Sequence, residues 1–272
     1  MKKFLTLIEI ELRHLIFILI GIFLLMTGIS GLLTFTGASA NNQDATRIMT
    51  QGSLSAAEFV ASHGYFTLST LPSATLMTAV FILFFYAMLA FVSFWIWQKE
   101  WAGKSKGIYF LLSLRAPRSR LLATKLLVTL TASWLFFGMV LLNLFIGGLI
   151  MNIVIDSRLV GSQLVAGYLQ NASWILSFVL PTSAIHFIYH TLFTTAVFLA
   201  MTSWVLLAKS FNWFGGIIGF IYTFATVVIY TYIQFMWLFY DERLLVEWSF
   251  VILSCLISFP LSMWLVAKRI SV

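Results

Sequence analysis

A serine or cysteine that attacks a bond needs a base within hydrogen-bond reach, and few residues of this chain meet that requirement even on paper. Ser30 stands in Gly28-Ile29-Ser30-Gly31, and His186 or His190 would be the base of a hydrolytic step at that hydroxyl. The two histidines are also spaced i, i+4, as metal ligands on one helix face would be, but Phe187 occupies the place where a zinc hydrolase carries its glutamate. Simpler roles fit both features. Gly28, Ser30 and Gly31 are small residues near the end of an apolar stretch, where they let helices approach closely. The histidines fall near a boundary, where a hydrogen-bonded polar pair is ordinary. The single cysteine, Cys255, lies inside an apolar stretch and reads as a buried, inert thiol. No Gly-x-x-x-x-Gly-Lys-Ser/Thr loop is found in the sequence, so any nucleotide chemistry would belong to another polypeptide. We therefore expect no catalytic residue, no metal site and no cofactor in this chain, and no enzyme; an intramembrane hydrolase is the third of three readings.

The elements that carry these residues are set by composition. Of 272 residues, 61% are hydrophobic and only 9% charged, against the roughly 25% charged of soluble domains. A water-soluble shell cannot be built from so few charges, so the bilayer is the solvent. The expected fold is all-α and integral to the membrane, with six transmembrane helices at about Leu15–Phe35, Ala74–Trp97, Leu126–Ile150, Ser183–Ala208, Gly215–Tyr240 and Trp248–Ala267. These spans leave only loops, so 1–272 is expected to be one transmembrane domain.

Charge fixes the expected orientation. With the N-terminus cytoplasmic, thirteen of the sixteen cations fall inside, and only Arg47, Arg158 and Arg243 fall outside, together with six of the nine acids. That is the positive-inside distribution, and both termini are expected to be cytoplasmic. Tryptophans mark the same boundaries: Trp95, Trp97, Trp101 and Trp213 on the inner side, Trp174, Trp237 and Trp248 on the outer. The net charge of +7 does not imply nucleic acid, because the cations lie between apolar spans and form no stripe interleaved with aromatics.

The segment 1–14 reads as an amphipathic interfacial helix, with Lys2, Thr6, Glu9 and Arg13 on one face and Phe4, Leu5, Ile8 and Leu12 on another. The alternative is a cytoplasmic extension of the first span. A cleaved leader is disfavoured, because the apolar core is about twice the usual 7–15 residues and Glu9 and Glu11 precede it. The outer segment 36–73 is polar, and Ser55-Ala56-Ala57-Glu58 has the form of a capping box opening a short surface helix. In the outer segment 151–182, Trp174 to Leu180 is apolar and ends at Pro181, as an interfacial or re-entrant helix would.

The strongest signal is the basic loop from Gln98 to Lys125, which holds seven of the thirteen inner cations. Glu100, Gly107, Leu111-Leu112, Pro117, Arg120 and Lys125-Leu126-Leu127 follow one another in it. This order resembles the inner loop of ABC-2-type transporter permeases, where an acidic residue, a Gly-Thr pair, a Leu-Leu-x-x-Pro-x-x-Arg stretch and a Lys-Leu-Leu recur before the third span. The amphipathic start with Glu9, Glu11 and Arg13, the six spans and the cytoplasmic termini are also similar to that family. The sequence departs from the pattern in Ile108, where the family has Thr, in two extra residues before Pro117, and in the distance from Glu100 to Gly107. Physically, a short helix from Ile108 to Leu114, flanked by Arg115, Arg118 and Arg120, could press its apolar side into a groove on a partner while the cations meet an acidic rim. Pro117 would end it. The same cations could instead anchor anionic lipid headgroups.

The resemblance implies a permease subunit of an ABC exporter in a bacterial plasma membrane. Its partners would be cytoplasmic ABC ATPase subunits, which bind ATP and Mg, a second permease copy or paralogue, and membrane lipid. Spans rich in Phe and Met and nearly free of charge suit a hydrophobic or amphipathic cargo such as a peptide, antibiotic or lipid. The second reading is a membrane scaffold or immunity-type binding protein without an ATPase partner.

Overall fold

The computed structural model describes residues 2–102, 118–162, 183–235 and 240–269, with Val165, Tyr168, Leu169, Leu180 and Pro181. The described chain is helical and contains no strand: α1 (Lys2–Gly52), α2 (Ala56–His63), α3 (Ala74–Ala102), α4 (Arg118–Val154), α5 (Ala184–Phe235) and α6 (Tyr240–Trp264), the last followed by a π-helical turn, Leu265–Arg269. Among the described residues, five helical stretches are long and apolar enough to cross a membrane: Glu11–Gly52, Ala74–Lys99, Ser119–Val154, Ala184–Ile233 and Leu244–Ala267. Large apolar side chains point outward along them, Phe17 being 75% and Leu32 67% exposed, a surface that lipid tolerates and water does not.

Two compact units make up the fold. The first comprises Met1–Phe17, Ala87–Ser133 and Phe187–Val272. Its centre is α5, whose helical path breaks at Phe211 (φ −124°, ψ 18°) and Asn212 (φ 53°, ψ −137°). There the chain turns back on itself. The indole of Trp204 donates to the Gly216 carbonyl at 3.1 Å, and the Thr223 hydroxyl donates to the Ala200 carbonyl at 3.5 Å. Further along the two arms the Phe193 and Tyr230 rings stand 5.1 Å apart. Glycine permits this approach: a Cβ on Gly215 would lie 2.0 Å from the Leu207 carbonyl oxygen, and one on Gly219 would lie 2.8 Å from Trp204 Cα. Helix α6 is fastened to both arms by hydroxyls. Ser203 meets Ser262 at 3.0 Å, and Tyr222 meets Ser258 at 2.6 Å.

The second unit comprises Ile18–Tyr86 and Trp134–His186. Here α1 runs well past the Phe35 end read from the sequence, because Ala38 to Gln51 holds no Gly or Pro and its polar residues bond along the helix. The Thr46 and Thr50 hydroxyls donate to the carbonyls one turn back, at 2.7 and 2.8 Å. Ala38, Asn41 and Ala45 form the buried face of this extension, as helical spacing dictates. Residues 65–73 pack against α1, with the Ser73 hydroxyl donating to the Leu33 carbonyl at 2.6 Å. Asn143 on α4 accepts from Ser30 at 2.9 Å, and Phe66 pairs with Val160 through a single backbone bridge.

Several expectations meet the structure at this level. Helix α2 opens as read: the Ser55 N–H donates to Glu58 Oε2 at 2.7 Å, and the Glu58 N–H donates back to Ser55 Oγ at 3.3 Å. The Ser55 backbone bond, and then its hydroxyl, hold the Glu58 carboxyl below the usual range, so the cap is a charged one. The segment 1–14 is continuous with the first span, since no Gly, Pro or cap residue separates Arg13 from Phe17. Asp241 to Glu247, the short loop that the expected span ends leave, belongs instead to α6, because it holds no Gly or Pro to break a helix. The apolar segment Trp174 to Val179 lies outside the described residues.

The turn of α5 supplies a test. Asn212 holds a backbone conformation that glycine adopts freely, so Asn212→Gly should relieve about 1 kcal/mol of strain and raise the midpoint of thermal unfolding in detergent. Gly219→Val should lower it by several degrees, because its side chain enters Trp204. A stabilised Gly219→Val or a destabilised Asn212→Gly would show that the arms do not pack as described.

Candidate functional site

The basic loop leaves α3 at Ala102 and enters α4 at Arg118, and the helical turns at these two roots converge on one carboxylate. Glu11 on α1 is 6% exposed. Lys99, on the last turn of α3, pairs with its Oε2, and Lys125, on the second turn of α4, donates to its Oε1 at 3.3 Å. Lys125 is the more buried cation, with 0% exposure. Its ammonium donates to the Ile96 carbonyl at 2.6 Å and lies 4.9 Å from the centroid of the Trp97 ring. Trp97, itself buried, donates its indole N–H to Thr202 Oγ1 on α5 at 2.9 Å. Three helices therefore meet at Glu11, and Trp97 ties a fourth, α5, to them.

The sequence places these groups for identifiable reasons. The C-terminal turn of a helix carries partial negative charge on its free carbonyls, which attracts cations, and both ammoniums gather at the end of α3. Ile96 and Trp97 are buried, so a Lys125 side chain packed there loses its water and must find fixed partners. It finds three: a carboxylate, a carbonyl and an aromatic face. With two ammoniums against one carboxylate, the cluster holds one net positive charge.

The residues singled out from sequence fare unequally. Gly107, Leu111, Leu112, Arg115 and Pro117 lie outside the described residues, as does the helix expected from Ile108 to Leu114. Glu100 belongs to the last turns of α3 and Arg118 to the first of α4; their side chains lie outside the description. Arg120 is exposed, and its carbonyl accepts from the Thr124 hydroxyl at 2.8 Å. Lys125 stands apart from the others, because a side chain sealed inside the bundle offers nothing to a docking partner. Glu9 and Arg13 are exposed and pair with each other at 3.8 Å, an i, i+4 contact of small energetic weight. Glu11 belongs to the amphipathic start read from the sequence, but its pairing with Lys99 and Lys125 was not foreseen there. Its signal was an acid on the cation-rich side, matched by a lysine embedded in an apolar run, Leu121 to Leu127.

The nucleophile candidates have other partners. Ser30 bonds to Asn143, while His190 Nε2 lies 2.5 Å from Ser133 Oγ, which also meets Thr194 at 3.1 Å. A hydroxyl against an imidazole is the geometry of nucleophile and base. Ser133 is 0% and His190 1% exposed, so neither substrate nor water reaches the pair as it stands. Among the described residues no three His, Cys, Asp or Glu side chains gather as metal ligands.

The charge count predicts an order of sensitivity. Glu11→Gln leaves two ammoniums facing each other out of water and should cost about 3–5 kcal/mol. Lys125→Met leaves a neutral Glu11–Lys99 pair and should cost only about 1–2 kcal/mol in lost hydrogen bonds. Thermal unfolding of the purified variants checks this, and a Lys125→Met protein less stable than Glu11→Gln would show that the carboxylate is not the hub.

No family model matches this sequence, and no curated protein or solved structure matches it either.

Proposed function

We propose that this chain is the membrane-spanning permease subunit of an ATP-driven transporter, working with separate cytoplasmic ATPase subunits and a second permease copy or paralogue. The observation that carries the reading is the tie between the two roots of the basic loop. A loop that receives force from a partner is useful only if its ends are fixed to the helices that must move. Lys99 and Lys125 fix both ends to Glu11 of α1, and Trp97 extends the tie to α5 through Thr202. A displacement of the loop is then passed to four helices together.

The topology that goes with this reading has six spans. At 50 residues, the stretch Ala184–Ile233 is more than twice the ~20 needed for one crossing, and its reversal at Phe211–Asn212 supports reading it as two. Both termini are then cytoplasmic, with the basic loop on the same side, in agreement with the positive-inside count. The resemblance of the loop to that of ABC-2-type permeases supplies the partner class: an ABC ATPase that binds ATP and Mg and presents an acidic rim to Arg115, Arg118 and Arg120. Export of a hydrophobic or amphipathic cargo across a bacterial plasma membrane follows from the same resemblance and from the apolar character of the spans.

Affinity purification of the detergent-solubilised chain tests the reading. Wild-type protein should bring down a nucleotide-binding subunit, and a variant with Arg115, Arg118 and Arg120 all changed to Ala should recover at least about tenfold less of it. If wild type brings down no such subunit under mild conditions, the chain is a binding or scaffold protein. Equal recovery with wild type and variant would place the ATPase contact elsewhere than on the loop.

A further inference from the structure

The reversal of α5 carries Lys209 to the end of α3. Its ammonium lies 5.6 Å from the centroid of the Trp101 ring, its side chain is exposed, and none of the ion pairs among the described residues engages it. Lys99 and Lys125, by contrast, are both committed to Glu11. Two donors in this region have no acceptor: the indole N–H of Trp101, whose ring Lys209 covers, and the hydroxyl of Ser210, which follows Lys209 in the chain. Both atoms are shielded from water, and an unpaired donor in such a place costs free energy that a bound acceptor would recover. Immediately beyond them the apex exposes Phe211, Trp213 and Phe214, with Trp213 82% and Phe214 68% accessible. Indole and phenyl rings at the end of a membrane helix prefer the headgroup zone.

We propose that Lys209, Trp101 and Ser210 hold the phosphate group of an anionic phospholipid. The chemistry matches group by group: a phosphodiester brings the negative charge that Lys209 lacks and acceptor oxygens for an N–H and an O–H. A zwitterionic lipid brings the same phosphate together with a cation of its own, which offsets the attraction of the ammonium. Free phosphate would satisfy the donors equally but would leave Trp213 and Phe214 without apolar contact. The site needs only that the α5 apex reach the headgroup zone, and it stands whether or not an ATPase binds the loop.

Native mass spectrometry of the 272-residue chain, titrated with phosphatidylglycerol or phosphatidylcholine, reads the site directly. Wild type should bind phosphatidylglycerol more tightly than phosphatidylcholine. Lys209→Gln should weaken phosphatidylglycerol about fivefold, the effect of removing one cation at a membrane surface, and Lys209→Arg should retain it. Trp101→Phe keeps the ring but removes the N–H, and should weaken binding even if Lys209→Gln fails to fold. Equal phosphatidylglycerol binding by wild type, Lys209→Gln and Trp101→Phe would overturn the proposal, and so would equal affinity of wild type for the two lipids. Displacement of phosphatidylglycerol by millimolar inorganic phosphate would assign the site to the free ion and overturn the lipid.

Discussion

A polar group that leaves water must find its partner inside the protein, and the architecture of this chain follows from that constraint. Backbone amides meet it by forming helices. Side-chain hydroxyls meet it by bonding the carbonyl one turn back, as Thr27, Thr34, Thr129 and Thr131 all do, so a threonine costs an apolar helix little. Where a polar side chain instead reaches a neighbouring helix, it marks a contact that apolar packing alone would leave loose. Ser30 with Asn143, Ser133 with His190, and Ser203 with Ser262 are such contacts. Each lies within one compact unit and gives a seam of interchangeable Leu, Ile and Phe side chains a defined register.

The Glu11 cluster is the extreme case of the same rule. Replacing three charges by apolar residues of similar volume would often cost nothing or even stabilise, so the value of the cluster is not net stability. It lies in direction. The Lys125 ammonium has a carboxylate, a carbonyl and a ring as neighbours, and sliding α4 by one residue along α3 would withdraw it from all three. Intermediate positions are thereby made costly, and the helices flanking the basic loop are left with one arrangement instead of a continuum.

How much of this was legible in the sequence depended on the range of the signal. Apolar runs bounded by cations mark the spans, because span length and boundary charge are local quantities. The capping box at Ser55 and Glu58 was legible for the same reason. The reversal of α5 was marked by Lys209, Ser210 and Asn212 followed by two glycines. Polarity is a poor sign of a loop here: 38–51 and 241–247 are rich in polar residues yet hold no Gly or Pro, and they stay helical. The cluster was illegible because its members lie on three separate helices. Each stood in a stretch where a cation is already explained by topology, and Glu11 sat between Glu9 and Arg13, which face outward.

One consequence joins the cluster to the rest of its unit. Trp97 serves Lys125 with its ring face and Thr202 with its N–H, so the same side chain touches the ionic hub and the first arm of α5. The next residue in the chain, Ser203, bonds Ser262 of α6. Pro260, two residues earlier, lacks the N–H that would otherwise close a turn there, and the helix beyond Trp264 widens into a π-helical turn. A helix weakened at those two points bends more readily than it slides. The ionic hub at Glu11 and the interrupted hydrogen-bond ladder at Pro260 are thus joined by one path of contacts, through Trp97, Thr202 and Ser203.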